Sequence, residues 1–202
     1  MTVVGPGDDR ARCDWAAAAG QGPDAALMRD YHDREWGRPV RGRTELFERI
    51  ALESFQSGLS WLVILRKREN FRRAFDRFDI ETVASYTDHD VRRLLGDAGI
   101  VRNRAKIEAT IANARAVVDL GTDLSELVWS FAPASRPLYR AMAEVPSQTR
   151  ESAALARDLR RRGFRFVGPT TAYALMQATG MVDDHLAECW VRVNRVAQTP
   201  GG

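Results

Sequence analysis

Apolar residues along this chain recur every three to four positions, the period of a helix buried on one face. Leu46, Phe47, Ile50, Leu52 and Phe55 follow that spacing, Gly58 interrupts it, and Leu59 to Arg68 resumes it. Asp88 is placed to cap a helix running through Leu95. After a turn at Gly99, Ile107, Ile111 and Ala114 mark a long amphipathic helix within 98–118. Ser147 is placed to cap another helix that ends near Arg162, with Gly163 as its C-terminal stop. Val167-Gly168-Pro169 reads as a tight turn, and Thr170 to Thr179 as a further helix closed by Gly180. Strand signals are too few and too short for a sheet. The pattern predicts an all-α fold. Met1 to Asp9, with Gly and Pro and no periodicity, reads as a disordered tail. The expected organisation is a tail at 1–9, a single domain at 10–195 and a flexible tail at 196–202.

Length and composition narrow the setting. A chain of 202 residues suits one domain with a substantial core. Hydrophobic residues make up 45%, yet no apolar run is long enough to span a bilayer, so no membrane association is expected. The first ten residues lack the apolar stretch of a secretory signal. Two cysteines without such a signal point to a reducing, cytoplasmic compartment, where thiols serve metals or packing. Net charge is only +3, but basic residues cluster at Arg66 to Arg73, at Arg102 to Lys106 and at Arg157 to Arg165. Such clusters can neutralise phosphates; each taken singly also reads as a solvated helix face.

The two cysteines and two of the three histidines gather at the chain ends: Cys13 and His32 near one, His185 and Cys189 near the other. The i, i+4 spacing of His185 and Cys189 predicts one helix face carrying both. Two thiolates and two imidazoles suit a tetrahedral Zn²⁺ with no open position, a structural ion joining the N- and C-terminal segments. Two inert thiols beside ordinary histidines, or a Cys13–Cys189 disulfide, remain alternatives.

Arg160 to Tyr173 reads R-R-R-G-F-R-F-V-G-P-T-T-A-Y, a helix, a short apolar-x-Gly turn and another helix. Gly168 is expected to let a backbone approach closely. The amides opening the next helix, with Thr170 and Thr171, are placed to meet a phosphate. An ordinary helix-turn-helix corner is the competing reading.

Trp15, Tyr31, Trp36 and Trp61 stand near the metal candidates or near Glu53. Aromatic faces can sandwich a planar base and hold a cationic one better still. Glu53 lies on an otherwise apolar helix; if it faces inward, burial is costly without a ligand or donor to pair with it. A surface Glu53 with core tryptophans is the plainer alternative.

These stretches together resemble the 3-methyladenine DNA glycosylase I family, part of the helix-hairpin-helix DNA glycosylase superfamily. The resemblance rests on R-C-D-W at 12–15, Y-H-D-R-E-W-G at 31–37, L-E-S-F-Q-S-G-L-S-W at 52–61, D-A-G-I-V-R-N-R-A-K-I at 97–107 and the run from Arg162 to Cys189. It implies a helix-hairpin-helix glycosylase fold whose termini are joined by a structural zinc on Cys13, His32, His185 and Cys189. It implies a base pocket in which Glu53 hydrogen-bonds the excised base and Trp61 stacks on it, with Tyr31, Trp15 and Trp36 completing the walls and Gln56 at the edge. Gly58 and Leu59 would press into the duplex, and the hairpin residues Phe166, Val167, Gly168 and Thr170 would hold flanking phosphates. The implied activity is monofunctional hydrolysis of the N-glycosidic bond of 3-methyladenine in double-stranded DNA by a monomer, leaving an abasic site. A non-catalytic binder of damaged or abasic DNA is the alternative. Asp183 stands where the family often carries Asn, and reads either as electrostatic help or as a helix N-cap before Leu186. Met28 stands where some relatives carry an aromatic.

Overall fold

In a computed structural model, the structure describes residues 3–4, 8, 10–17 and 20–198, with the backbone alone at 3–4 and 195–198. Helices dominate it. They are α1 (Asp14–Ala17), α2 (Pro23–Arg34), α3 (Arg43–Gln56), α4 (Trp61–Ala74), α5 (Ile80–Ala84) and α6 (Asp88–Gly96). There follow α7 (Arg104–Val118), α8 (Leu124–Trp129), α9 (Arg150–Arg161), α10 (Pro169–Ala178) and α11 (Trp190–Gln198). The all-α expectation holds. The strand structure among the described residues is a two-residue antiparallel pair, β1 (Val3–Val4) with β2 (Ala11–Arg12).

Helix α3 is the axis of the molecule. It packs against α4, α7, α8 and α10, and Leu46, Phe47, Ile50, Ala51, Leu52 and Phe55 are buried along it. Phe71, Phe75 and Phe78 complete an aromatic core, with the Phe75 and Phe78 rings stacked at 5.6 Å. A second, smaller core contains Cys13, Tyr31, Trp36, Leu186 and Cys189 and joins the two ends of the chain. Embedding α3 between neighbours explains how a charged residue on it becomes buried: the backbone position of Glu53 is set by the apolar residues around it, each worth about 1.5–3 kcal/mol of burial.

The caps sit one or two residues from where the sequence suggests. Thr87, not Asp88, caps α6 and forms a capping box with Asp90. Thr149, not Ser147, caps α9, with Ser152 returning the bond. Both are Thr residues whose hydroxyl accepts from the first turn, so a neighbouring Asp or Ser is a near-equivalent in sequence terms.

Several expectations are corrected. His185 and Cys189 do not share a helix face. Residues 181–189 are bends and a turn, and α11 begins only at Trp190. Asp183 therefore caps no helix; its Oδ1 accepts from the His185 amide at 3.4 Å within the turn. Within the tail expected at 1–9, the described residues Val3 and Val4 pair with Arg12 and Ala11 and Asp8 binds the Arg12 guanidinium at 2.6 Å; the rest of 1–9 lies outside the described residues. Helix α11 runs to Gln198, so the domain boundary expected at 195 falls inside it; residues 199–202 of the expected C-terminal tail lie outside the described residues. The close approach expected at Gly168 is not affected by its φ of −88°; the left-handed conformation in this turn falls on Phe166 at φ 55°.

Candidate active site and metal centre

The end of α3 carries the chemistry. Glu53 is 5% exposed, and among the described residues no donor pairs with its carboxylate. It lines a cavity of about 280 Å³ together with Trp15, Tyr31, Trp36, Gln56 and Trp61. The aromatic walls are contiguous: Trp36 meets Trp15 edge-on at 5.2 Å, and Tyr31 meets Trp61 at 5.1 Å. The Trp61 indole Nε1 is buried and has no hydrogen-bond partner among the described residues. Burial pushes the Glu53 carboxyl up to about 8, only partly offset by the Arg49 guanidinium one turn earlier. Burial, and then the Glu53 charge, raises the Tyr31 phenol. All six residues assigned to the pocket from the sequence thus meet around one cavity. Met28, which the resemblance places near the pocket, also lines it, as do Met142, Ala174 and Gln177, which were not assigned from the sequence. Met142 comes from a short 3-10 turn far along the chain, and Gln177 from α10; no local motif flags either.

Beyond α3 the chain turns sharply. The Leu59 amide donates to the Gln56 carbonyl, and Gly58 has φ 79° with Ser57 at φ −47° and ψ 115°, a type II turn. Gly58 supplies the positive φ such a turn requires. Leu59 is left 41% exposed.

The α9–α10 turn lies beside it. Val167 is buried and anchors the turn, while Phe166 and Thr170 face solvent. Arg160 Nε donates to the Val167 carbonyl at 2.8 Å, Ser54 of α3 donates to the Phe166 carbonyl at 3.4 Å, and Asn113 of α7 clamps Arg165 through both its amide (2.7 Å) and its carbonyl (3.2 Å). One residue from Glu53, Ser54 thus ties the turn to the base cavity. The basic clusters are less free than their sequence suggests: Arg66 pairs with Asp24, Arg68 with Glu35, Arg72 with Glu48, and Arg161 and Arg162 with Asp158.

Cys13, His32, His185 and Cys189 come together although both pairs arise from irregular or separate elements. Their ligand atoms all lie within 4.8 Å of one another, and all four residues are buried. Cys189 Sγ is 3.5 Å from His32 Nε2 and 3.4 Å from His185 Nδ1, and Cys13 Sγ is 3.8 Å from His185 Nδ1. Tetrahedral zinc bonds to sulfur and nitrogen set ligand atoms about 3.6 Å apart, so this donor set fits the ion. The remaining ring nitrogens are already engaged, His32 Nδ1 with Asp33 at 2.7 Å and His185 Nε2 with the Trp36 carbonyl at 3.1 Å. Such outer partners orient ligand imidazoles. Both cysteines are free thiols, which removes the disulfide alternative.

An all-helical fold with an indole-walled cavity, a buried acid lining it that is unpaired among the described residues, and an exposed apolar residue on a tight turn nearby suits binding of a flat, positively charged aromatic group. The chain belongs to the methyladenine glycosylase family, whose sequence model matches residues 21–193. It is 45% identical over 183 residues to DNA-3-methyladenine glycosylase 1 of Escherichia coli, covering 88% of this chain and 95% of that protein. It is 41% identical over 184 residues to DNA-3-methyladenine glycosylase of Haemophilus influenzae, covering 88% and 96%. Among solved structures it is similar to a 3-methyladenine DNA glycosylase I (TM-score 0.82, 43% identity, 89% of this chain and 98% of that one). It is also similar to the Staphylococcus aureus enzyme analysed for 3-methyladenine recognition (TM-score 0.82, 32% identity, 89% and 97%).

Proposed function

We propose that this chain is a DNA repair glycosylase that excises 3-methyladenine by hydrolysis. The observation that carries the reading is the buried Glu53 carboxylate, unpaired among the described residues, on the floor of the aromatic cavity. Methylation at N3 gives adenine a full positive charge. Such a base gains from π faces and from a carboxylate, while neutral adenine gains less from both. Glu53 accepts hydrogen bonds from the flipped-out base and neutralises it, and Trp61 stacks on it. The C1′–N bond breaks with its electron pair going to the base, which leaves as neutral 3-methyladenine. Water adds at C1′ and loses a proton, and an abasic site remains. Because the leaving group is already activated, extraction and recognition carry most of the work.

Leu59 fills the space the flipped nucleotide leaves, and the α9–α10 turn acts as the hairpin of a helix-hairpin-helix element, directing its amides and Thr170 to backbone phosphates. Double-stranded alkylated DNA is the substrate, bound by a monomer in the bacterial cytoplasm. No described helix is long and apolar enough to cross a membrane, and the relatives named above are bacterial. One catalytic domain spans residue 10 to α11.

Cys13, His32, His185 and Cys189 would hold one structural Zn²⁺. With four protein ligands it has no position for water, and it supplies folding stability at the seam of the two chain ends. Both lysines, Lys67 and Lys106, are engaged by backbone carbonyls, which supports hydrolysis without Schiff-base strand cleavage.

Incubation with methylated duplex DNA, followed by analysis of the released bases, tests the reading. 3-Methyladenine should appear far above its spontaneous rate, and Glu53→Gln should abolish most of that release while binding to undamaged DNA stays unchanged. Release at the spontaneous rate by the wild-type chain would sink it.

A further inference from the structure

Gln177 enters the base cavity from α10. Its side-chain amide is not free to turn. Nε2 donates to Asp184 Oδ2 at 2.8 Å, and the Tyr173 hydroxyl donates to the same oxygen at 2.6 Å. Asp184 is 2% exposed and does not line the cavity. Asp184 Oδ2 accepts from both groups, so it is the nitrogen end of Gln177 that faces it. The two ends of an amide are otherwise interchangeable; here the carboxylate distinguishes them. The carbonyl Oε1 is the end left for the cavity, and among the described residues nothing donates to it. Gln56, across the same cavity, has no such partner and can turn either end inward.

We propose that Gln177 is a specificity-determining residue, its carbonyl held toward the cavity by Asp184 as a fixed acceptor for the exocyclic amino group of the bound purine. Asp184 is then a positioning residue acting through Gln177. With Glu53 ionised opposite the bound base, the pocket presents two acceptors, and it rejects purines that carry a carbonyl oxygen in place of the amino group. A hydrogen-bonding site discriminates against an analogue that leaves its polar groups unmatched far more strongly than a change in shape does. This inference rests on the base-pocket reading above and adds the residue that reads one edge of the base.

Two free bases of the same shape test it, 3-methyladenine and 3-methylhypoxanthine, titrated against the full chain by tryptophan fluorescence. Gln177→Leu should weaken 3-methyladenine by up to about tenfold, the value of one ordinary hydrogen bond, and leave 3-methylhypoxanthine unchanged or improved. Asp184→Leu should lower the ratio of the two affinities similarly. In the Gln177→Leu background Asp184→Leu should change it no further, because a residue acting through Gln177 has nothing left to act on. An unchanged ratio in Gln177→Leu, or an undiminished effect of Asp184→Leu in the double variant, would overturn the proposal. Should Asp184→Leu fail to fold, isotope-labelled wild-type chain decides: on adding 3-methyladenine the Gln177 Cδ resonance should shift more than Nε2, and the reverse would overturn the proposal. Glu53→Gln separates the two readings. If it loses 3-methyladenine binding while Gln177→Leu does not, this inference alone fails; if the wild-type chain binds neither base, the base-pocket reading fails and this inference with it.

Discussion

Lys106 Nζ donates to the Phe55 carbonyl at 2.8 Å, and also to the carbonyl of Ser57. A lysine on α7 thereby caps the C-terminus of α3, where orphan carbonyls and the helix dipole favour a cation. The cap lies between Glu53, two residues before Phe55, and Leu59, two residues after Ser57. It couples the Glu53 cavity to the turn that carries Leu59.

Lys106→Met should therefore act on both stability and excision. Loss of a buried charge-assisted cap is worth roughly 1.5–3 kcal/mol, read as a lower urea midpoint. Excision from duplex DNA should fall by more than the binding of free 3-methyladenine does. An unchanged urea midpoint would show that the cap contributes nothing.

Glu53 gives the apo protein a characteristic pH dependence. Its carboxyl is raised to about 8 from an ordinary 4.5, so the folded state holds the proton more tightly than the unfolded state. The favourable contribution is complete below about pH 4.5 and is lost as pH rises through 8. Glu53→Gln, neutral throughout, should be more stable than the wild type at pH 9 by on the order of a few kcal/mol, with the gap closing toward pH 4.5. Excision should run the opposite way. A permanently cationic base needs an ionised Glu53, so wild-type turnover should climb with pH toward about 8. Parallel melting curves of the two chains from pH 5 to 9 would contradict the buried position of the acid.

Metal analysis should find about one zinc per chain. A strong chelator, or Cys189→Ser, should lower the melting temperature, because ion binding at such a site is folding free energy. The four residues sit in the small core that joins the chain ends, so loss of metal is expected to loosen that seam before the α3 core. A metal-free chain that melts at the same temperature would remove the zinc.

Leu59→Ala should leave stability within about 0.5 kcal/mol, since the side chain is exposed. Binding of free 3-methyladenine should also be unchanged. Excision from duplex DNA should drop about tenfold or more, because an apolar wedge offsets the cost of unstacking. Equal excision by both chains would leave Leu59 without a role in the duplex.

Gly180 is required by a close approach. It has φ 70°, and a Cβ there would lie 2.6 Å from the Arg38 carbonyl carbon. The segment following Trp36 docks on the end of α10 at this point, through Gly37 N to Gln177 O and Val40 N to Thr179 O. Gly180→Ala should cost more than about 2 kcal/mol and should shift the Trp36 wall of the cavity, seen as a weaker response to 3-methyladenine. Full stability in the variant would refute the close approach.

Much of the site was legible because its chemistry is carried by rare residue types. Two cysteines, three histidines and an acid on an apolar helix stand out in any reading, and the period of Leu46, Phe47, Ile50 and Phe55 locates that helix within a residue or two. The errors have one physical source. His185 and Cys189 have helical spacing, but four residues can also be spanned by a turn, and spacing alone does not distinguish them. Gly168 drew attention as a glycine, yet the positive φ belongs to Phe166, whose carbonyl accepts from Ser54 and whose neighbour Arg165 is clamped by Asn113, both on other elements.

Periodicity and composition, which are local properties, were enough to establish an all-helical chain, the helix that bears Glu53 and the four metal-type side chains. Long-range packing was needed to turn Glu53 inward, to bring Met142 and Gln177 to the same cavity and to orient the Gln177 amide. Those outcomes depend on which helices meet, and a hydrogen bond between Gln177 and Asp184 or a cap from Lys106 onto α3 leaves no trace in the order of residues along either segment.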